Sequence, residues 1–311
     1  GTPDFAATSL KSLFTCHEQG LFNLNSVITI PDKKVGRGQK TQQCAVKKTA
    51  KDLNIPILEP SNLLNEKFLH TVKSLQPDLI IVIAFKKLPK ILFEIPKNGT
   101  INLHASLLPK YRGAAPINWA IINGETQTGL TTFFINEKID TGDIILQSKI
   151  DIPKHWHAND LHDKLMQESS DIVIRTIDKV LSNNYKLKKQ PDLEKKIMIQ
   201  KLAIAPKIEK KDRILNPKDF QGISGVKKAY DFIRGMSPPG VKINIEIEKK
   251  DNSIKRQTIL ITRVNNYHNI RTENQTEIKP DLNQESNKDK HTAKLDELTI
   301  QRQDKFLTIT N

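Results

Sequence analysis

Six apolar residues in a row, Leu79-Ile80-Ile81-Val82-Ile83-Ala84, follow the turn signal Pro77-Asp78. A strand with one wet face alternates, so an unbroken apolar run predicts a parallel strand covered on both faces. Such a strand needs helices on either side of its sheet, and the flanking sequence supplies them. Helical spacing recurs over Phe5–Phe14, Ala45–Leu53 and Leu63–Leu75, between short strand-like runs at Val27–Ile30 and Ile55–Leu58. Further on come a helix over 115–123 with Trp119, and strands at Leu130–Ile135 and Ile144–Ile150. A long amphipathic helix then spans Asp160–Leu181, with Leu161, Leu165, Ile172, Ile174, Ile177, Val180 and Leu181 on its apolar face. Strands alternating with helices predict an α/β, doubly wound, Rossmann-like domain.

The chain has 311 residues, enough for a second domain. Tyr185–Lys211 is basic, punctuated by proline and poor in aromatics, and reads as a linker. Beyond it lies a helix, Val226–Met236, stopped by Ser237-Pro238-Pro239-Gly240. The rest alternates like strands at Val241–Ile247, Gln257–Val264 and Leu298–Ile309, which fits a small Greek-key barrel of the oligonucleotide-binding (OB-like) type. Asn265–Ala293 is polar and reads as a loop. The expected organisation is therefore a catalytic domain over 1–184, a linker over 185–211 and the OB-like domain over 212–311.

No stretch is apolar for long enough to span a membrane, and no secretory signal pattern is present. Cys16 and Cys44 make no disulfide framework, which fits a reducing cytoplasm. The net charge of +14 favours an anionic partner, commonly a nucleic acid, although a lysine-rich surface alone gives the same excess.

The stretch that carries chemistry is Asn102-Leu103-His104-Ala105-Ser106-Leu107-Leu108-Pro109-Lys110-Tyr111-Arg112-Gly113, with Ile139-Asp140-Thr141-Gly142-Asp143 on a second loop. Gly99-Thr100-Ile101 opens a strand, and side chains two apart share a side, so Asn102 and His104 project together from its end. An amide beside an imidazole supplies an oxyanion donor and a titratable acid/base. Asp140 can orient the imidazole and stabilise its charged form. His155, His157 and His162 cluster in sequence, but no Cys or carboxylate pattern completes a metal site, and no metal is expected.

The run NLHASLLPKYRGAAPINWAIINGE and the IDTGD loop together resemble the signature of the folate-dependent formyltransferases. The resemblance extends over most of residues 1–240. It implies 10-formyltetrahydrofolate as the donor, with Ser106, Leu107, Leu108 and Pro109 specifying it. It also implies that Ala84, Phe85 and Leu88, with Thr141, Gly142 and Asp143, line the pterin slot. Asn102, His104 and Asp140 become the catalytic set, and no covalent enzyme intermediate is needed. Arg112 either meets a substrate or locks its loop.

Asp32-Lys33-Lys34-Val35-Gly36-Arg37-Gly38-Gln39-Lys40 resembles the insert with which some members read tRNA. It implies that Lys33, Lys34, Arg37 and Lys40 contact an initiator methionyl-tRNA, whose α-amino group would accept the formyl group in translation initiation. A monomer is expected. Two rivals remain: an N-formyltransferase of amino-sugar nucleotides, and a non-catalytic RNA-binding remnant. In the family, Gly1-Thr2-Pro3-Asp4-Phe5 follows directly on a central strand, so the resemblance also implies an apolar slot in the sheet beside this segment.

Overall fold

The computed structural model describes the chain except residues 36–39, 192–202, 217–218, 221, 249–253, 265–266, 273–274, 281–297, 303–304 and 310–311. It divides into two compact units. The first comprises Gly1–Gly113, Thr128–Ile150 and Asp163–Ile204, and the second Ala114–Gln127, Asp151–His162 and Ala205–Asn311.

In chain order the first part runs α1 (Asp4–Glu18), β1 (Val27–Ile28), β2 (Lys33–Val35), β3 (Lys40–Gln42), α2 (Ala45–Asp52), β4 (Ile57–Leu58), α3 (Glu66–Ser74) and β5 (Ile80–Ile83). Then follow α4 (Lys90–Phe93), β6 (Thr100–His104), β7 (Arg112–Gly113), α5 (Pro116–Ile122), β8 (Gln127–Phe134), β9 (Ile144–Asp151) and α6 (Ala158–Leu181). The main sheet of the first unit has the order β5-β6-β8-β9. β5 and β6 are parallel, with Val82 opposite Asn102, whereas β6 and β8 are antiparallel, with His104 opposite Thr131. β1 and β4 pair in parallel as a separate piece.

A cavity of about 510 Å³ opens between these two pieces, lined by Leu13, Val27, Ile28, Ile80, Ile81 and Val82 among others. It explains why the apolar run at 79–84 is only partly covered. Val82 and Ile83 are buried, while Ile80 and Ile81 remain half-buried. Phe68, Leu69 and Val72 of α3 pack with Val82, Leu88, Leu92 and Phe93 in one core cluster of this unit. α3 starts where the Asn65 side chain accepts the Phe68 N–H at 3.0 Å, a cap that satisfies one orphan donor of the first turn.

The long helix α6 buries a face shifted from the one its sequence suggests. Ile174 is half-buried and Leu181 exposed, while Val173 and Thr176 are buried instead. The polar member is satisfied: the hydroxyls of Thr176 and Thr132 lie 2.8 Å apart, and Thr176 also donates to the Ile172 carbonyl at 2.6 Å. A threonine paired in this way costs the core little.

The second part continues with β10 (Ile204–Ala205), a short 3₁₀ turn, β11 (Ile214–Leu215), α7 (Gly222–Gly235), β12 (Val241–Glu248) and β13 (Ile254–Ile261). β11 runs parallel to β12, and β12 antiparallel to β13. Val241, Ile243, Ile259 and Ile261 face Leu215, Tyr230, Ile233 and Met236 in one core. α5 packs on α7 at Gly235, where an added Cβ would fall 2.6 Å from Ile122 Cγ1 and 3.0 Å from the Asn118 carbonyl oxygen. Two hairpins complete the chain: β14 (Tyr267–Thr272) with β15 (Gln275–Pro280), and β16 (Leu298–Arg302) with β17 (Lys305–Ile309).

Part of the polar stretch 265–293 is therefore a hairpin rather than a loop. The alternation over 298–309 likewise folds back on itself instead of forming one strand. Among the described residues, the strands after 211 form three separate sheets. No helix among the described residues is long and apolar enough to cross a membrane.

His157, in the second unit, is 3% exposed and serves this core. Its Nε2 accepts the Val264 N–H at 3.3 Å, so the ring is held as an acceptor on that side. Burial, aided by the neighbouring charge of Arg263, pushes its pKa below the ordinary histidine value. The unfolded chain takes up a proton as pH falls through about 6.5, and the folded chain does so only at lower pH. The stability linked to His157 is thus full above that value and is lost as pH falls below it. The thermal midpoint of the chain should drop between about pH 7 and pH 5, and His157→Gln should flatten that dependence. An unchanged slope in the variant would show that the imidazole does not couple to this unit's stability.

Candidate active site

β6 delivers Asn102 and His104 to one side at its C-terminal end, as its two-residue period requires. His104 is 7% exposed and Asn102 half-buried. Among the described residues no hydrogen bond engages the Asn102 amide, so its donors remain available to a bound oxygen.

The imidazole is held differently from the expectation that Asp140 would grip it. His104 Nε2–H donates to the Tyr111 carbonyl at 2.8 Å. Since a carbonyl only accepts, the neutral ring carries its proton on Nε2. Nδ1 is then the basic nitrogen, and it faces Asp140 Oδ2 at 3.8 Å, too far for a direct hydrogen bond. The Asp140 carboxylate instead accepts the Gly113 N–H at 2.9 Å. Nδ1 and the carboxylate therefore face each other without a direct bond. A proton taken by Nδ1 would sit beside a negative charge that stabilises it.

Two backbone conformations build this arrangement. Tyr111 has φ 61° and Asp140 φ 55°, left-handed values that a side chain adopts only when its surroundings enforce them. Tyr111 must turn in this way to aim its carbonyl at Nε2. Tyr111 and Arg112 are buried at 3% and 7%, and the Tyr111 N–H donates to the Ala203 carbonyl at 2.6 Å. Arg112 locks the loop: its Nε and Nη2 donate to Gln190 Oε1 at 3.1 and 2.8 Å, and Nη2 reaches the Pro191 carbonyl at 3.2 Å.

Ser106 to Pro109 are pinned from below. Thr131 Oγ1 donates to the Ser106 carbonyl at 2.6 Å and accepts the Leu108 N–H at 3.1 Å. Gln147 Nε2 donates to the Leu108 carbonyl at 2.9 Å and to Thr131 Oγ1 at 3.0 Å. Ser106 Oγ donates to the Lys110 carbonyl, and the Leu108 side chain is buried against Phe133 and Ile144. The hydroxyl of Ser106 and the side chain of Leu108 thus shape the loop, leaving Leu107 and Pro109 half-buried on it.

Leu88 lies in the core with Phe85 packed against it, and Ala84 is exposed at φ 46°. Thr141 Oγ1 donates to Asn136 Oδ1 at 2.8 Å, closing the turn before Gly142, and the Asp143 carbonyl accepts the Phe134 N–H at 3.1 Å. A Cβ on Gly142 would collide with the Phe134 carbonyl oxygen, which explains the glycine.

The structure thus brings His104, Asp140, Tyr111 and Arg112 together in the first unit. Sequence reasoning missed Gln190, Thr131 and Gln147. The last two stand among other polar residues, in β8 (QTGLTTFF) and β9 (IILQSKID), so nothing local singles them out. Gln190 carried no signal either, because it sits in a stretch that reads as linker.

The basic segment is a hairpin at its base, with Lys33 opposite Gln42 and Val35 opposite Lys40. Arg37, with Gly36, Gly38 and Gln39, lies outside the described residues. Lys33 is exposed. Just before the hairpin, Asp32 accepts from Lys47 Nζ at 2.7 Å, and Glu59 from the same nitrogen at 2.8 Å. That bond holds the Asp32 carboxyl below its usual range and anchors the hairpin to α2.

Two substitutions test this geometry. Asp140→Asn can keep the Gly113 bond but removes the charge, so catalytic turnover should fall by about a hundredfold while the fold persists. Gly142→Ala sets Cβ against backbone that cannot step aside, and should cost about 1–3 kcal/mol in a denaturation experiment. An Asp140→Asn protein as fast as its parent would remove the carboxylate from the chemistry.

The formyl transferase family matches residues 1–177. A methionyl-tRNA formyltransferase of Bacteroides thetaiotaomicron is 45% identical over 238 residues, covering 76% of this chain and 70% of that one. Its counterpart in Flavobacterium psychrophilum is 44% identical over 256 residues, covering 82% and 77%. Among solved structures, WlaRD, a sugar 3N-formyl transferase crystallised with dTDP and 5-N-formyl-THF, aligns with a TM-score of 0.55 at 22% identity, covering 90% of this chain and 92% of its own. Phosphoribosylglycinamide formyltransferase of Bacillus halodurans aligns at 0.50 with 21% identity, over 58% and 93%. These structures share the fold over the parts that align. With residues 1–177 matched and two bacterial relatives above 40% identity, the chain belongs to the formyl transferase family.

Proposed function

We propose that this protein transfers the formyl group of 10-formyltetrahydrofolate to the α-amino group of initiator methionyl-tRNA. The observation that carries this reading is the 45% identity to a methionyl-tRNA formyltransferase over three quarters of the chain. The sugar-acting structures are only about half as similar in sequence, and they support the fold alone.

In this reading the amine attacks the formyl carbon and a tetrahedral oxyanion develops. Asn102 donates a hydrogen bond to that oxygen. His104 Nδ1 takes the proton from the attacking amine, and the resulting imidazolium, steadied by Asp140, returns it to the departing nitrogen. The half-buried faces of Leu107 and Pro109, with Phe85 and the Thr141–Asp143 loop, receive the donor.

The hairpin carrying Lys33, Lys34, Arg37 and Lys40 meets the phosphates of the acceptor arm. Residues 212–311 form the OB-like partner domain after the 185–211 linker, and 1–184 the catalytic domain. The protein works in the cytoplasm, as a monomer.

Formylation of charged initiator tRNA and of a nucleotide-linked amino sugar, measured side by side, tests the reading. Turnover of the tRNA is expected, and turnover of the sugar alone would overturn it. Replacing Lys33, Lys34, Arg37 and Lys40 together should raise KM for tRNA and leave KM for the donor unchanged. It should also flatten the salt dependence by about one log–log unit per lost phosphate contact. A salt slope equal to the parent's would make the hairpin a solvated turn.

A further inference from the structure

The geometry points to Gln190 as a positioning residue of the active site, acting through the two loops that flank His104. We infer that its single amide sets the spacing between the imidazole and the Asp140 carboxylate. The inference rests on the reading of His104 and Asp140 as the catalytic pair.

Gln190 follows α6 at a place fixed by backbone pairing. Ile144 N–H donates to the Lys188 carbonyl and Lys188 N–H to the Ile144 carbonyl, both at 2.9 Å. Two residues on, the Gln190 side chain reaches between the loops. Its Oε1 accepts from Arg112 Nε at 3.1 Å and Arg112 Nη2 at 2.8 Å. Its Nε2 donates to the Asp140 carbonyl at 3.1 Å and the Gly142 carbonyl at 2.7 Å. Both lone pairs and both protons of the amide are thereby used. Its orientation is fixed too, because a guanidinium only donates and a carbonyl only accepts.

Each bond lands beside a catalytic contact. Arg112 lies between Tyr111, whose carbonyl takes the His104 Nε2 proton, and Gly113, whose N–H holds the Asp140 carboxylate. Asp140 and Gly142 lie on the opposite loop, and Asp140 keeps the left-handed backbone that aims its side chain at His104. The Gln190 amide bonds to both loops. Without it, the 3.8 Å gap at Nδ1 loses a link that joins the two loops beside the Gly113 bond. A misplacement of about 1 Å at such a pair costs up to a hundredfold in rate.

The test uses Gln190→Met, which keeps the length and removes all four bonds. Gln190→Glu, which still accepts from Arg112 but as a carboxylate cannot donate to two carbonyls, is the second variant should the first fail to fold. Both should lower kcat by about tenfold or more, with KM for donor and acceptor within about twofold of the parent. Combined with Asp140→Asn, neither should slow the enzyme much beyond Asp140→Asn alone, because the two changes act on one pair. A kcat within about threefold of the parent, or losses that multiply independently, would overturn the inference.

A second readout does not depend on the acceptor's identity. The ¹⁵N resonances of the His104 imidazole, assigned with His104→Gln, should move in both variants. Unmoved resonances would refute Gln190's role even if the protein formylates tRNA. A parent inactive on tRNA but with shifted variant resonances would instead count against the proposed acceptor.

Discussion

The bond from His104 Nε2–H to the Tyr111 carbonyl decides what the rest of the site can do. A neutral imidazole has one proton, and this bond places it on the nitrogen that points away from Asp140. The basic nitrogen is then the one beside the carboxylate. The ring can accept a proton there and hold it against a compensating charge, without the carboxylate binding it first. An aspartate in direct contact with Nδ1–H would force the other tautomer and orient the ring differently. In the proposed reaction the 3.8 Å gap leaves Nδ1 free to take that proton.

Most of the surrounding structure keeps that bond in place. Tyr111 reaches its carbonyl position only through a left-handed backbone, and Asp140 reaches its own in the same way. Each such residue costs of order 1–3 kcal/mol, which the neighbouring hydrogen bonds must offset. They do so from both sides: Ala203 holds Tyr111, Gly113 holds the Asp140 carboxylate, and Gln190 ties the two loops. Under the loop after His104, Thr131 and Gln147 satisfy the backbone of residues 106 and 108. Two of the left-handed residues, Tyr111 and Asp140, thus flank His104, and Thr131 on β8 with Gln147 on β9 holds the neighbouring loop.

Much of this was legible in the sequence. The period of two over Thr100–His104 correctly placed Asn102 and His104 on one side. The alternation of apolar runs with helical spacing gave the α/β order, because both signals are local. What escaped was long-range. Gln190 meets Asp140 across 50 residues and Arg112 across 78, and no local pattern marks such a contact. A backbone carbonyl rather than Asp140 grips the imidazole, and carbonyls carry no sequence signature. The Leu298–Ile309 alternation reads as one strand because pairing β16 with β17 keeps the alternation on both arms.

The central claim is that His104 Nδ1 carries the proton during formyl transfer. Single-turnover transfer by His104→Gln, with donor and charged initiator tRNA saturating, tests it most directly. Glutamine can still donate to the Tyr111 carbonyl but has no basic nitrogen to take a proton. The account predicts a rate lower by about a hundredfold or more, with binding of both substrates retained. A rate within a few-fold of the parent's would contradict it.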